Sequence, residues 1–358
     1  TFNRSDDMTV GATLLGSGTV QQEGSGTTTL AGSNSFSGTF DIAAGTLAAG
    51  ASALGAASVA LTGGELLATA DETLSGALTV VANSIVAAAH GKTFNVGAGG
   101  WSFNVGTLQF GAAGQDGTVV FNSSAGNLGT ADGPIEVAAG TLKAGNANFS
   151  LLVGHDPSTT VDSGATLDLA GFDTTIKNLL GAGEVGNSGN LDILTLNAGN
   201  FFGHITGAQS LDVFGTVTLA GPNTYSGNTI IESSGSLTLG DGGSIAAASP
   251  VIDGGVLTID HGDAVTLANA ISGGGSLDQA GAGTTTINHA NNYSGGTTIY
   301  HGTLAVGDGG ALGSGIIAFT GGELLATANE TLANTLSTLF SADTIAAAHG
   351  KTLNVGAG

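Results

Sequence analysis

The chain has 358 residues, of which 64 are glycine, only 9% are charged and none is cysteine. Its net charge of −22, from 27 acids against 5 scattered bases, leaves no basic stripe for nucleic acid or an anionic membrane surface. A 41% apolar fraction excludes a disordered polar chain, and glycines without a period of three exclude collagen.

The N-terminal run Thr1-Phe2-Asn3-Arg4-Ser5-Asp6-Asp7 lacks the apolar core of a signal peptide. A Thr-rich alternation, Thr27-Thr28-Thr29-Leu30, then leads into Asn34-x-Phe36-Ser37-Gly38 and Gly45-Thr46-Leu47. The block 63–74 begins Gly63-Gly64-Glu65-Leu66, and 87–99 contains His90-Gly91-Lys92. The mean hydropathy is +0.31, but the most apolar stretch, 80–89, is broken by Asn83 and Ser84 and is too short to span a bilayer. Further alternations run over 161–169 and 191–196.

Thr216-Val217-Thr218-Leu219 precedes Asn223-x-Tyr225-Ser226-Gly227 and Gly235-Ser236-Leu237. Residues 256–259 alternate again. A third copy runs Thr284-Thr285-Thr286-Ile287, Asn291-x-Tyr293-Ser294-Gly295 and Gly302-Thr303-Leu304. Residues 63–74 then return as 321–332 with one change, Asp71 to Asn329. Residues 87–99 return as 346–358, with Leu353 for Phe94 and one residue inserted between the two blocks.

Period-two alternation of β-branched residues closed by glycine reads as many short strands. Helical periodicity is nearly absent, since runs such as 246–248 are too short to nucleate a helix. Internal duplication favours a stacked solenoid over a sandwich or barrel. Aromatics at 5% are also too few for a large sandwich core, whereas Val, Leu, Ile and Ala fill a narrow coil. Roughly 20 to 25 residues are expected per coil, with asparagines stacked in ladders between coils. The expectation is an all-β, parallel β-helix (β-solenoid) forming one elongated segment over 1–358, with the long duplication 24–99 / 281–358. The second copy stops mid-pattern at Gly358, so the chain reads as an interior window of a longer repetitive protein whose exposed strand edges would associate end to end.

Residues 215–240, 283–307 and, with Phe36 in place of tyrosine, 26–50 closely resemble the autotransporter-associated β-strand repeat, also called the passenger-associated transport repeat. Val161-Asp162-Ser163-Gly164-Ala165-Thr166-Leu167 is similar to passenger sequence as well. The resemblance implies a right-handed parallel β-helix passenger of a type V secreted protein of Gram-negative bacteria. Such a passenger passes through an outer-membrane β-barrel lying outside this window and is extracellular, at the cell surface or released. A chain free of cysteine suits passage in an extended form.

A β-helix can also carry an enzyme acting on acidic polysaccharides. Here Asp6-Asp7 is the only Asp pair, and an anionic substrate would meet a surface of charge −22. The densest polar cluster is Asp260-His261-Gly262-Asp263, with Asp253 upstream. A four-residue turn cannot alone complete a coordination shell, so a solvated turn is expected. The repeated His90-Gly91-Lys92 and His349-Gly350-Lys351, and the repeated Glu65 and Glu323, read as copied turns and strand starts. Asp71-Glu72 becomes Asn329-Glu330, which keeps one acid of a pair that two-carboxylate hydrolysis would need. Gly111-Ala112-Ala113-Gly114-Gln115-Asp116 resembles a calcium-binding nonapeptide but stands alone. Trp101 with Phe94, Phe103 and Phe110 reads as a bulkier section of core.

No catalytic, cofactor-binding or metal-ligating residue is therefore assigned. The expected function is a non-enzymatic adhesin and rigid stalk. Its expected partners are a host-cell or matrix surface or other copies of itself. The alternatives are a β-helix carbohydrate-active enzyme, lyase or hydrolase, and a purely structural spacer in a surface layer or filament.

Overall fold

A computed structural model describes residues 1–103, 106–122, 133–155, 157–247, 249–337 and 343–356. The chain folds as a β-solenoid of short parallel strands and divides into two compact units, Thr1–Asp192 and Ile193–Gly358. No helix among the described residues is long and apolar enough to cross a membrane.

In the first unit one column of strands comprises Met8–Val10, Thr27–Leu30, Thr46–Ala49, Glu65–Ala68 and Ser84–Ala88. They pair in parallel with Val10 beside Leu30, Leu30 beside Ala49, Ala49 beside Ala68 and Ala68 beside Ala88, a step of 19 or 20 residues. The coils then lengthen: Val86 pairs with Phe110, Phe110 with Val137 and Val137 with Val161. Other columns run through Thr19–Gln22, Thr39–Ile42 and Ser58–Leu61, and through Thr93–Val96, Thr118–Phe121 and Thr141–Ala144. The longer coils hold the bulky core. Trp101 meets Phe121 edge-on at 4.9 Å, Phe121 lies 6.1 Å from Phe149, and Phe94, Phe103 and Phe110 are buried beside them.

One seven-residue helix, Phe149–His155, departs from the all-strand reading. Asn146 caps it by accepting the Asn148 N–H. Phe149, Leu152 and Val153 are buried at helical spacing. Less than two turns of that period looks, in sequence, like another apolar run.

The second unit keeps strict register. Leu219, Leu239, Ile259, Gln279, Ile299 and Phe319 stack in adjacent strands, each 20 residues after the last. All six are buried. Between them in sequence, Thr218, Thr238, Thr258, Asp278 and Thr298 form the outward column, because successive side chains of a strand face opposite ways. Gln279 keeps its place in the apolar stack by donating Nε2–H to the carbonyl of Gly281 at 2.8 Å. In the first unit Gln22 does the same toward Gly24, also at 2.8 Å.

The three Asn-x-aromatic-Ser-Gly motifs explain themselves between coils. Asn291 Oδ1 accepts the Ile271 N–H at 2.8 Å, while its Nδ2 donates to the Ala311 carbonyl at 2.8 Å. Asn223 joins Ile205 to Ser244, and Asn34 joins Leu14 to Ala53, in the same two-sided way. Each amide thus pins the coil before and the coil after to its own. These asparagines are staples to backbone, where the sequence reading expected amides stacked on amides. Asn122 and Asn95, 3.1 Å apart, do form such a rung.

The aromatic of the motif is solved in two ways. Buried Tyr293 and Tyr225 hydrogen-bond the hydroxyls of Thr297 and Thr229, four residues on. Phe36 has no hydroxyl, and the position four residues on is Phe40, whose ring lies 5.0 Å away. A polar pair is exchanged for an aromatic pair as a unit. Thr297→Val is expected to cost about 1–3 kcal/mol by stranding the Tyr293 hydroxyl. Adding Tyr293→Phe should return part of that loss in thermal denaturation followed by circular dichroism. Equal stability of the single and double variants would count against the pairing.

Candidate functional site

Several acids that stood out in the sequence spend an oxygen on a neighbouring coil. Asp7 Oδ1 accepts the Thr27 N–H at 2.9 Å, and Asp71 Oδ1 accepts the Thr93 N–H at 2.9 Å. In the duplicate, Asn329 Oδ1 accepts the Thr352 N–H at 3.0 Å. The one change between the copies of 63–74 therefore preserves the single property the fold uses, an acceptor oxygen. Glu72 is buried and accepts the N–H groups of Ala53 and Thr73. Glu65 and Glu323 each accept a threonine hydroxyl from the preceding coil, Thr46 at 2.6 Å and Thr303 at 3.0 Å.

A groove of about 560 Å³ runs over the outward face of the first unit and is lined by Thr46, Glu65, Ile85, Gln109 and Glu136 among others. Burial and the charge of Asp162 raise the Glu136 carboxyl above its ordinary range. Glu65, Ile85, Gln109 and Glu136 are consecutive rungs of one ladder. Three steps of about 4.8 Å separate the two glutamates by about 14 Å along the ladder, beyond the roughly 5–9.5 Å at which paired carboxyls cleave glycosidic bonds. A second groove, of about 370 Å³, holds Asp71, whose Oδ1 is engaged as above, and Glu72, both of whose oxygens are.

Two features that looked separate in sequence meet in the structure. His90 Nδ1 lies 2.8 Å from Asp116 Oδ1, exposed, and the hydrogen bond lowers the Asp116 carboxyl from its ordinary range. Asp116 belongs to the run that resembles a calcium-binding nonapeptide; its carboxylate is turned to this imidazole instead.

Elsewhere in the first unit, Asp168 is ion-paired to Lys143 at 2.9 Å and accepts the Ser188 hydroxyl at 2.7 Å. Burial opposes its charge, but these bonds and the Ser188 and Ala170 N–H groups outweigh it and hold the carboxyl low. Burial, reinforced by the charge of Asp173, pushes Asp192 up to about 7. In the second unit Asp253 is fully buried and pushed by burial up to about 6.

The cluster at Asp260-His261-Gly262-Asp263 differs from the solvated turn expected. Asp260 is exposed, but His261 is only 5% exposed, and its Nε2 lies 2.9 Å from the Gly243 carbonyl. The Gly262 N–H donates to Asp241 Oδ1 at 2.6 Å, drawing in an acid from the preceding coil. One ligand atom each of Asp241, His261 and Asp263 falls within 4.8 Å of the others. Asp253, read with this cluster in sequence, instead faces the core.

The passenger-associated-transport-repeat matches residues 20–49, 215–239 and 277–306. These are the three segments that carry the asparagine staples and the Tyr–Thr or Phe–Phe pairs. The chain is also 35% identical over 162 residues, 42% of its length, to the "Adhesin BmaC autotransporter" of Brucella suis biovar 1 (strain 1330). The match spans 4% of that relative's length. No solved structure matches.

Proposed function

We propose, for a chain whose three passenger-associated transport repeats make it an autotransporter passenger segment, that it works outside a Gram-negative cell as a non-enzymatic adhesive stalk. It would hold to a host-cell or matrix surface, or to other copies of itself. The supporting observation is the outward column Thr218, Thr238, Thr258, Asp278 and Thr298, one half-exposed polar side chain per coil over a fully buried apolar stack. Such a column offers the same weak contact at every coil, and repetition multiplies weak contacts into avidity. The Brucella relative, named an adhesin, supports the same reading. The intercoil hydrogen bonds of Asp7, Asp71, Glu72, Glu65 and Glu323 support the non-enzymatic part, since each of these acids uses at least one oxygen to hold a neighbouring coil.

The test is microscopy of beads coated with the purified chain, mixed with cultured host cells and with one another. Attachment or clumping above beads carrying an inert protein is expected, and Thr238→Lys with Thr258→Lys should reduce it severalfold without altering the circular dichroism spectrum. Beads that neither attach nor clump would remove adhesion and leave a spacer. Release of new sugar ends from acidic polysaccharides would overturn the non-enzymatic reading.

A further inference from the structure

From the arrangement of Asp241, His261 and Asp263 we infer that the second unit carries a zinc-type divalent cation site linking two successive coils. The register makes the cluster. Leu239 pairs with Ile259 at the end of adjacent strands, so Asp241 and His261, two residues beyond each, leave the strands side by side. Asp263 follows two residues later on the same turn. The ligand set is one imidazole and two carboxylates, suited to zinc and neighbouring first-row divalent ions and poorly suited to calcium.

The imidazole is prepared for a metal. Its Nε2–H donates to the Gly243 carbonyl at 2.9 Å, which fixes the ring's orientation and leaves Nδ1 as the ring atom facing the acids. Backbone capture of the second ring nitrogen is the usual support of a metal-bound histidine. The ring also shares a small, largely apolar cavity with Leu239, Ile245, Ile259 and Leu267, which shields that side from water.

The spacing leaves room for an ion between the two groups. Nδ1 lies 3.3 Å from Asp263 Oδ1. A charge-assisted hydrogen bond closes to about 2.7–2.9 Å, as His90 and Asp116 do in the same chain at 2.8 Å. Two donors each about 2.0–2.1 Å from a tetrahedral ion stand about 3.3–3.4 Å apart. Asp241 is oriented from the preceding coil by the Gly262 N–H, and water would complete the shell. The ion would tie coil to coil where the side chains of the turn are otherwise exposed acids, at Asp241, Asp260 and Asp263.

Zinc chloride is titrated calorimetrically into the chain near neutral pH, with thermal denaturation in parallel with and without chelator. One site of micromolar or tighter affinity is expected, together with a rise in Tm that chelator reverses and that calcium does not reproduce. Asp263→Asn, at a position 79% exposed and so safe for folding, should weaken binding by about tenfold or more. His261→Gln should abolish the site, and His90→Gln should leave it unchanged. X-ray absorption of the zinc complex should show one nitrogen and carboxylate oxygens near 2.0 Å. Absence of one-site binding up to ~1 mM zinc, or affinity unchanged in both Asp263→Asn and His261→Gln, would overturn the assignment.

Discussion

Gly302→Ala is expected to be among the most damaging single-methyl additions in the second unit, lowering stability by about 3–5 kcal/mol. Gly302 opens the strand of the third repeat with φ +61°, in the left-handed region that an L side chain enters at a cost. A Cβ there would stand 2.3 Å from the Gly283 carbonyl oxygen and 2.4 Å from that of Gly281. Both oxygens are backbone of the preceding coil, so neither can swing aside as a side chain would. Relief would need two coils to part, which breaks the Thr303 N–H bond to Gly283 at 2.9 Å. Gly45, in the first repeat, has the same φ of +61° and comparable contacts at 2.3 and 2.5 Å.

The comparison that isolates the close approach is Gly350→Ala. Gly350 has φ +71° but nothing within 4 Å of its would-be Cβ, so it should cost only the conformational share, about 1 kcal/mol. Thermal denaturation of the two variants gives the difference. A Gly302→Ala loss no larger than that of Gly350→Ala would show that the coils can separate freely there. In a one-dimensional array the damage should also be local, visible as faster amide exchange in the coils around residues 283 and 302 before the rest of the unit responds.

The strands and the coil were legible because both leave a mark within the chain. Alternation marks each strand, and the interval from Thr284 to Thr303 is one coil, as their pairing confirms. What one coil does to the next was much less legible. Asn34, Asn223 and Asn291 stood out by repetition, yet their partners Leu14 and Ala53, Ile205 and Ser244, and Ile271 and Ala311 are backbone groups that no side-chain pattern marks. The same gap hid the ligand cluster. His261 and Asp263 were visible as a turn, but Asp241 joins them only through the 20-residue step that brings Leu239 beside Ile259. Applying that step to every His and acid would have found it. No such rule finds the helix Phe149–His155, which sits where the coils lengthen and the step no longer holds.

The same buried ladders make mild acidification stabilising. Asp253 stands beside Ile231 in the ladder, its carbonyl accepting the Gly275 N–H, and is fully buried, with Oδ1 accepting the Gly255 N–H and Oδ2 without a hydrogen-bond partner. Gly275 leaves it room, since a Cβ there would lie 2.3 Å from the carboxyl. Burial pushes Asp253 up to about 6 and, with the charge of Asp173, Asp192 up to about 7; Asp212 and Asp278 are raised by burial too. Each of these carboxyls holds its proton more tightly folded than unfolded. Their contribution is therefore full below the unfolded value near 4 and is lost as pH rises through the folded values, about 6 for Asp253 and about 7 for Asp192. Asp168 has the opposite sign: it is held low, so its contribution is present at neutral pH and disappears on stronger acidification.

The stability optimum should consequently lie on the mildly acidic side, with Tm rising as pH falls from about 8 to about 5. Asp253→Asn carries the sharper test. The amide keeps the acceptor for Gly255 and removes the buried charge, so at about pH 8 it should stabilise by roughly 1–2 kcal/mol. That is less than the full linkage value, because the new amide hydrogens find no acceptor beside the unpartnered Oδ2 position. At about pH 4.5 Asp253 is already protonated in the fold, and the gain should vanish. A gain independent of pH would mean that the substitution acts through packing, and a loss at both pH values would mean that the carboxyl has a partner the burial argument omits.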